Sequence, residues 1–297
     1  MDEFKNKEMK KIYLEMHGGL GNQLFIFALL FVLLKKDPNA KIYLDKTKFF
    51  LRRIHDGFLL NDLINRLNRK LYHSVKYSIL PNFFLKFLKF FRTNIDINQE
   101  NEPYVFQKLE IIKNYVILSG YWQSYKYFFD IQNDLRVFLH QFLNDQNDLD
   151  KINDFVSKIS QTKIAIHVRR GDYVKLKTYG LLSNDYYSNS IKYFQRLYPR
   201  AQYFVFSDDI NLVKNEKLFQ MPVIYIQPKN ISSINSLYLM SQCDHFITAN
   251  SSFSWWVAFL GNHKDKKVVT PKKWFKDRSD FNDLIPPEWI KIENNLI

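Results

Sequence analysis

Apolar positions along this chain fall into blocks of two lengths. Runs of about five residues, rich in Ile, Val, Tyr and Phe, read as buried strands, and longer runs read as helices. Residues 10–16 (Lys-Lys-Ile-Tyr-Leu-Glu-Met) predict a strand that ends in a Gly-rich turn, His17 to Gly21. The apolar stretch that follows predicts a helix to about Lys36, stopped by Asp37-Pro38. Lys41 to Asp45 predicts a second strand. Strand, helix, strand in so short a space is a βαβ unit and implies a parallel sheet. Over 46–110 the pattern gives basic, aromatic helices and loops without clear boundaries. Tyr115 to Ser119 predicts a strand and Lys126 to Leu143 a helix.

Asn144 to Asp154 is polar and acidic and reads as a linker. Beyond it the rhythm restarts. Strands are expected at Lys163–Val168, Gln202–Phe206, Val223–Ile226, His245–Thr248 and Lys267–Thr270. Helices are expected near Asn184–Leu197, Ile231–Ser241 and Ser254–Leu260. Two βα halves about one linker predict an α/β protein of two facing Rossmann-like domains with a cleft between them, 1–150 and 151–297. At 297 residues the length agrees with two domains.

Composition removes several classes. Hydrophobic residues make up 46% of the chain, enough for real cores and against disorder. Cys243 is the single cysteine, so no internal disulfide forms, a reducing, cytoplasmic setting is expected, and the thiol reads as a small buried apolar group. The Asn230–Ser232 and Asn250–Ser252 matches then carry no glycosylation meaning. Met1 to Lys11 lacks the basic-then-apolar order of a secretory signal. Leu24 to Leu34, the longest apolar run, is about half of the roughly 20 residues a membrane span needs, and reads as a buried helix.

Charge adds a question. The chain carries +13, and about +9 of it lies between Lys46 and Arg92, where only Asp56 and Asp62 oppose the basic residues. Within that region Phe83 to Arg92 would place Lys86, Lys89 and Arg92 on one helical stripe among aromatics. Such a segment is either a peripheral membrane contact at the inner face or an ordinary core helix with a solvated stripe.

Three motifs carry candidate chemistry. His17-Gly18-Gly19-Leu20-Gly21-Asn22-Gln23 joins a strand to a helix, where glycines allow close approach of a ligand and the helix start favours an anion. Asp45 stands where a dinucleotide fold keeps its ribose acid, but Leu24 occupies the place of the third glycine. His167-Val168-Arg169-Arg170-Gly171-Asp172-Tyr173 follows a strand, with planar cationic forks suited to phosphate. Thr248-Ala249-Asn250-Ser251-Ser252-Phe253-Ser254-Trp255-Trp256 offers a second helix start for an anion, or simple capping by Ser251 or Ser252. At most one of the two tryptophans need face a ligand. Asp148-Leu149-Asp150 matches a metal-dependent Asp-x-Asp, yet it falls in the linker and reads as chance. No metal is expected.

Taken together, these motifs resemble the α-1,2-fucosyltransferases of glycosyltransferase family 11. His167 to Tyr173, Gly18 to Gln23 and Asn250 to Trp256 match family motifs, and Phe206-Ser207-Asp208-Asp209 and Pro271-Lys272-Lys273-Trp274-Phe275 agree as well. One departure is Ile26-Phe27-Ala28, where the family usually has Gln-Tyr-Ala.

The resemblance implies the GT-B fold and inverting, metal-independent transfer of fucose from GDP-fucose to a glycan, on lipid-linked glycan in the reading that uses the membrane segment. The N-terminal domain would face the acceptor and the C-terminal domain would bind the donor. Arg169 would stabilise the β-phosphate of departing GDP. His167 with Asp208 or Asp209 would contact guanosine, and Ser251, Ser252 and Phe253 the pyrophosphate. Arg170, Asp172, Asn250, Gly19, Asn22 and Gln23 complete the expected donor site, and no general base can be named. Two rivals stand beside this reading: an NAD-dependent oxidoreductase using Gly19 to Leu24 with Asp45, and a non-enzymatic polyanion-binding protein that would take nucleic acid on the basic segment. The latter leaves the strand-end motifs without a purpose, so no nucleic-acid partner is expected.

Overall fold

The computed structural model describes residues 9–51, 57–70, 75–78, 95–109, 111–145, 158–171, 180–226, 232–276 and 283–297. The basic aromatic segment 83–92, the Asp148–Asp150 match, Asp172 and the expected boundary at 150/151 lie outside these residues. Contacts divide the chain into two units, Met1–Leu135 with Asn282–Leu284, and Arg136–Phe281 with Ile285–Ile297.

The first unit is built on a parallel five-stranded sheet. Its elements are β1 (Lys11–Glu15), α1 (Leu20–Lys36), β2 (Lys41–Asp45), α2 (Thr47–Leu51), α3 (Asn61–Lys70), β3 (Val75–Tyr77), β4 (Ile95–Gln99) and β5 (Tyr115–Ser119), in spatial order β3-β2-β1-β5-β4. Register runs Ile12 with Ile42 and Val116, and Leu14 with Leu44 and Leu118. These side chains are buried because the strand must be covered on both faces, as parallel sheets are. α1 is buried from Gln23 to Leu34, including Ile26 and Phe27, so the departure from the family pattern is a matter of packing. Each such Leu or Phe contributes about 1.5–3 kcal/mol by leaving water.

The helix expected over 126–143 begins later. Two 3-10 turns, Tyr125–Tyr127 and Phe129–Ile131, precede α4 (Gln132–Asn144). The reason is local: Ser124 caps the first turn through Lys126 N–H, and the Tyr125 N–H donates to the Asp283 carbonyl instead of starting a helix.

The second unit holds β6 (Lys163–Val168), α5 (Asn184–Leu197), β7 (Gln202–Ser207), α6 (Ile210–Asn215), β8 (Ile224–Ile226), α7 (Ser233–Ser241), β9 (His245–Ile247), α8 (Ser252–Leu260), β10 (Val268–Pro271) and β11 (Ile290–Ile292). All six strands are parallel, in the order β11-β10-β9-β6-β7-β8. Ile164, Ile166 and Val168 of β6 pack with Tyr186, Tyr187 and Phe194 of α5 in the core. Both units are therefore α/β layers on parallel sheets. Cys243 is buried, and burial raises its thiol pKa. Among the described residues, no helix is long and apolar enough to cross a membrane.

Candidate active site at the strand ends of the second unit

The chain leaves β6 for β7 and β8 on one side, then returns to β9 on the other. Strand order reverses between β6 and β9, and the carboxyl ends beside such a reversal are where open α/β sheets take ligands. Three groups of motif residues meet at these ends: His167 to Gly171 from β6, Ser207 to Asp209 from β7, and Thr248 to Phe253 from β9 and the start of α8.

Arg169 donates through Nε to Asp208 Oδ2 at 3.1 Å, with both side chains about one-fifth exposed. The other carboxylate oxygen of Asp208 accepts the Arg170 N–H at 2.9 Å. A guanidinium is thus held by a carboxylate that is itself held by backbone. Gly171 makes this possible, because a Cβ there would lie 2.3 Å from Asp208 Oδ2.

Arg170 does something else. It is 3% exposed, its Nε reaches both Glu216 oxygens at 3.0 and 2.8 Å, and its Nη1 donates to the Arg169 carbonyl at 3.2 Å. In this arrangement Arg170 braces the loop that carries Arg169. Asp209 is likewise a cap, accepting the Leu212 N–H at 3.0 Å at the start of α6.

His167 is buried, and burial aided by the Arg169 charge pushes its pKa down to about 3, so the ring is neutral at physiological pH. Its ring centroid lies 5.5 Å from that of Phe253, and its buried Nδ1 has no hydrogen-bond partner among the described residues. Ser251 is the N-cap of α8, yet its side chain makes no capping bond; Ser254 Oγ instead accepts the Ala249 N–H at 3.2 Å. The positive end of α8 therefore opens at the strand reversal beside His167, Phe253 and Ser252. Asn250 is buried, and its Nδ2 donates to the Gly180 and Trp274 carbonyls at 3.4 and 3.1 Å, which supports the turn. Trp255 and Trp256 are both wholly buried core residues.

Two supports escape motif reading. Tyr187 Oη donates to the His167 carbonyl at 3.3 Å and Tyr186 Oη to the Thr248 carbonyl at 2.6 Å, fastening the ends of adjacent strands β6 and β9. The only sequence signal was a Tyr-Tyr doublet inside an expected helix.

The first motif sits in the first unit. Gly18 has φ +79°, and a Cβ there would lie 2.5 Å from Asn22 Nδ2, so the left-handed turn and the close approach both require glycine. Gly19 is the N-cap of α1 and has ordinary extended backbone. Asn22 Oδ1 accepts from Gln123 Nε2 at 2.6 Å. Gln23 is fully buried: Nε2 donates to the Gly18 and Gly57 carbonyls at 2.9 and 2.8 Å, and Oε1 accepts the Leu59 N–H at 2.9 Å. Gln23 therefore braces the loops around Gly18 and Gly57. Asp45 caps α2 through Thr47 N–H at 2.8 Å, which engages the carboxylate that a bound ribose would require.

Near Gly18, a cluster of titratable groups was missed. The Glu15 carboxylate accepts from Ser119 Oγ and pairs with Lys48 at 2.9 Å, and His17 Nε2 meets the Gly120 carbonyl at 3.1 Å. Burial pushes the His17 pKa down to about 4, against a smaller upward pull from Glu15.

The strand reversal of the α/β sheet thus carries two arginines held by carboxylates, and comparison with known proteins gives the class, a glycosyltransferase. The family model described as Glycosyl transferase family 11 matches residues 105–293, and the chain belongs to that family. It is 31% identical to an alpha-1,2-colitosyltransferase of Escherichia coli, over 96% of this chain and 100% of that one. It is 29% identical to the O-antigen biosynthesis glycosyltransferase WbnK of Escherichia coli, over 95% and 100% of the two chains. A galactoside 2-alpha-L-fucosyltransferase of Caenorhabditis elegans is 28% identical over 60% of this chain and 53% of its own. These are glycosyltransferases, and none of them supports the oxidoreductase reading.

Proposed function

We propose that the protein transfers fucose from GDP-fucose, with inversion and without a metal, to the 2-hydroxyl of a terminal β-galactoside on a glycan. The observation that carries this reading is Arg169, held by Asp208 at the strand reversal. In the transfer, the acceptor oxygen attacks the anomeric carbon from the face opposite GDP, the bond to the β-phosphate oxygen breaks, and the acceptor proton passes to the departing diphosphate. Negative charge then grows on the diphosphate. A guanidinium fixed in advance stabilises that charge without reorganising, and α8 adds the N–H groups of its first turn. The neutral His167 and the Phe253 ring serve the nucleoside side. Arg170, Asp209 and Asn250 act from beneath, as positioning residues. The residues 1–150 present the acceptor in this account, and 151–297 hold the donor.

A second donor has a specific observation behind it, namely the relative called a colitosyltransferase. Colitose has one ring hydroxyl fewer than fucose. Equal amounts of GDP-fucose and GDP-colitose, offered together with methyl β-galactoside, decide between them. A fucosylated product with an α-linkage to O2 by NMR supports the proposal. A colitosylated product assigns the other sugar, and attachment at another oxygen contradicts the linkage.

A further inference from the structure

The end of β4 and the stretch after it form an open groove of about 770 Å³ in the first unit. Four carboxamides line it, Asn98, Gln99, Asn101 and Gln107, together with one acid, Glu102, and one base, Lys108. Its volume falls in the range of small-molecule sites, roughly 300–1,000 Å³. Among the described residues, none hydrogen-bonds the side chains of Gln99, Glu102 or Lys108.

The chemistry of this lining is unlike that of the donor site. Gln99 and Asn101 are exposed, and a carboxamide presents a donor and an acceptor side by side, the complement of a ring carrying adjacent hydroxyls. Glu102 and Lys108 balance in charge, which favours a neutral polyhydroxylated ligand over a phosphate.

The groove wall is also strained and firmly held. Val105 N–H donates to the Glu102 carbonyl at 3.4 Å, closing a turn with Pro103 and Tyr104 at its centre. Tyr104 has φ +73°, a left-handed conformation at the place where such turns ordinarily use glycine. Strain of this kind persists only where surrounding contacts impose it, and it gathers at ligand sites. Those contacts are present. With its amide assigned in the orientation that satisfies both its atoms, the Gln107 oxygen takes the N–H groups of Asn101 and Glu102 at 2.9 and 3.0 Å. Gln107 N–H donates to Tyr127 Oη at 3.1 Å, and Phe106 N–H to Asp283 Oδ2 at 2.8 Å. The Phe106 ring packs 5.0 Å from Tyr127 and remains 41% exposed. A firmly held wall with exposed amides suits a saccharide, whose hydroxyls ask for donors and acceptors side by side.

We propose that this groove binds the non-reacting sugars of an oligosaccharide acceptor, an inference that rests on the glycan-transfer reading above. Titration calorimetry without donor tests it, using a β-galactoside-terminated tetrasaccharide and the exposed-residue double variant Gln99→Ala/Lys108→Ala. Turnover of methyl β-galactoside, too short to fill the groove, is measured alongside. The double variant is expected to bind the tetrasaccharide about tenfold more weakly, the loss of about 1.4 kcal/mol, and to turn over methyl β-galactoside at the wild-type rate. Tyr104→Gly, which relieves the turn, is expected to bind more weakly as well. Unchanged binding in the double variant, or no binding by the wild type, overturns the proposal, as does binding of an extended peptide in place of the saccharide. Absence of methyl β-galactoside turnover would instead count against the proposed activity, and the donor-free titration would still decide the groove.

Discussion

Asp208 meets the Arg169 Nε with one carboxylate oxygen at 3.1 Å and takes the Arg170 N–H with the other at 2.9 Å. The two residues come from neighbouring strand ends, so the sheet itself sets the angle of the guanidinium. Arg169→Ala should lower kcat about 10²- to 10³-fold, the usual scale for removing one preorganised electrostatic group. Arg169→Lys should recover little, since an ammonium lacks the planar fork. Asp208→Asn, which keeps an oxygen for the Arg170 N–H, should cost about tenfold, one such bond's worth. Rates at saturating GDP-fucose, with circular dichroism to verify folding, check all three.

Gly171 is set by a distance. A methyl group added there would push the Asp208 carboxylate away from Arg169. Gly171→Ala should therefore lose activity as Asp208→Asn does, with little change in melting temperature. A full wild-type rate would show that the Asp208 contact does not orient Arg169.

Gln23 separates support from ligand contact. Gln23→Ala leaves the Gly18 and Gly57 carbonyls and the Leu59 N–H without their partner, and should cost about 1–3 kcal/mol of stability. GDP affinity, measured by calorimetry well below the melting temperature, should stay at the wild-type value. A large loss of affinity would return Gln23 to the donor site.

Tyr186 and Tyr187 fasten β9 and β6 through their hydroxyls. Tyr186→Phe and Tyr187→Phe should each cost about 1 kcal/mol. They should add nearly independently in a double variant if each serves its own strand. Urea unfolding of the two single variants and the double variant measures this.

Stability should also depend on pH. Burial lowers the pKa of His167 to about 3 and of His17 and His245 to about 4, from the 6.5 of a free histidine. Below 6.5 the unfolded chain binds protons that the native rings refuse. Stability from these groups is complete above 6.5 and is lost as the pH falls towards 4. Glu100, whose pKa burial raises, acts in the opposite sense, so a variant comparison is needed. His245→Phe should flatten the denaturation profile between pH 4 and 6.5, even while lowering stability at pH 7 by removing the acceptor for Lys267 N–H.

Much of the fold could be read before the structure. β2, β5, β6 and α5 lie where the apolar runs place them, because fully buried parallel strands leave unbroken Ile, Val, Leu and Tyr blocks between turn signals. The elements not foreseen lack that mark. β4 (Ile-Asp-Ile-Asn-Gln) is an edge strand with polar residues through it, and β3 and β11 are three residues long. In the site, the motifs fall at the ends of β6, β7 and β9, but the partners of their side chains are not legible in them. Arg170 has its partner in Glu216, and Asn250 in Gly180 and Trp274. Those partners are far away in sequence, and no spacing announces them. The Glu15–Lys48–Ser119 cluster was missed for the same reason.

The most direct test is acceptor-dependent release of GDP from GDP-fucose by wild type and Arg169→Ala, each with and without EDTA. The account predicts release by the wild type that needs a β-galactoside, survives EDTA and falls at least about a hundredfold in the variant. Release that stops in EDTA, or that continues at the wild-type rate without Arg169, would contradict it.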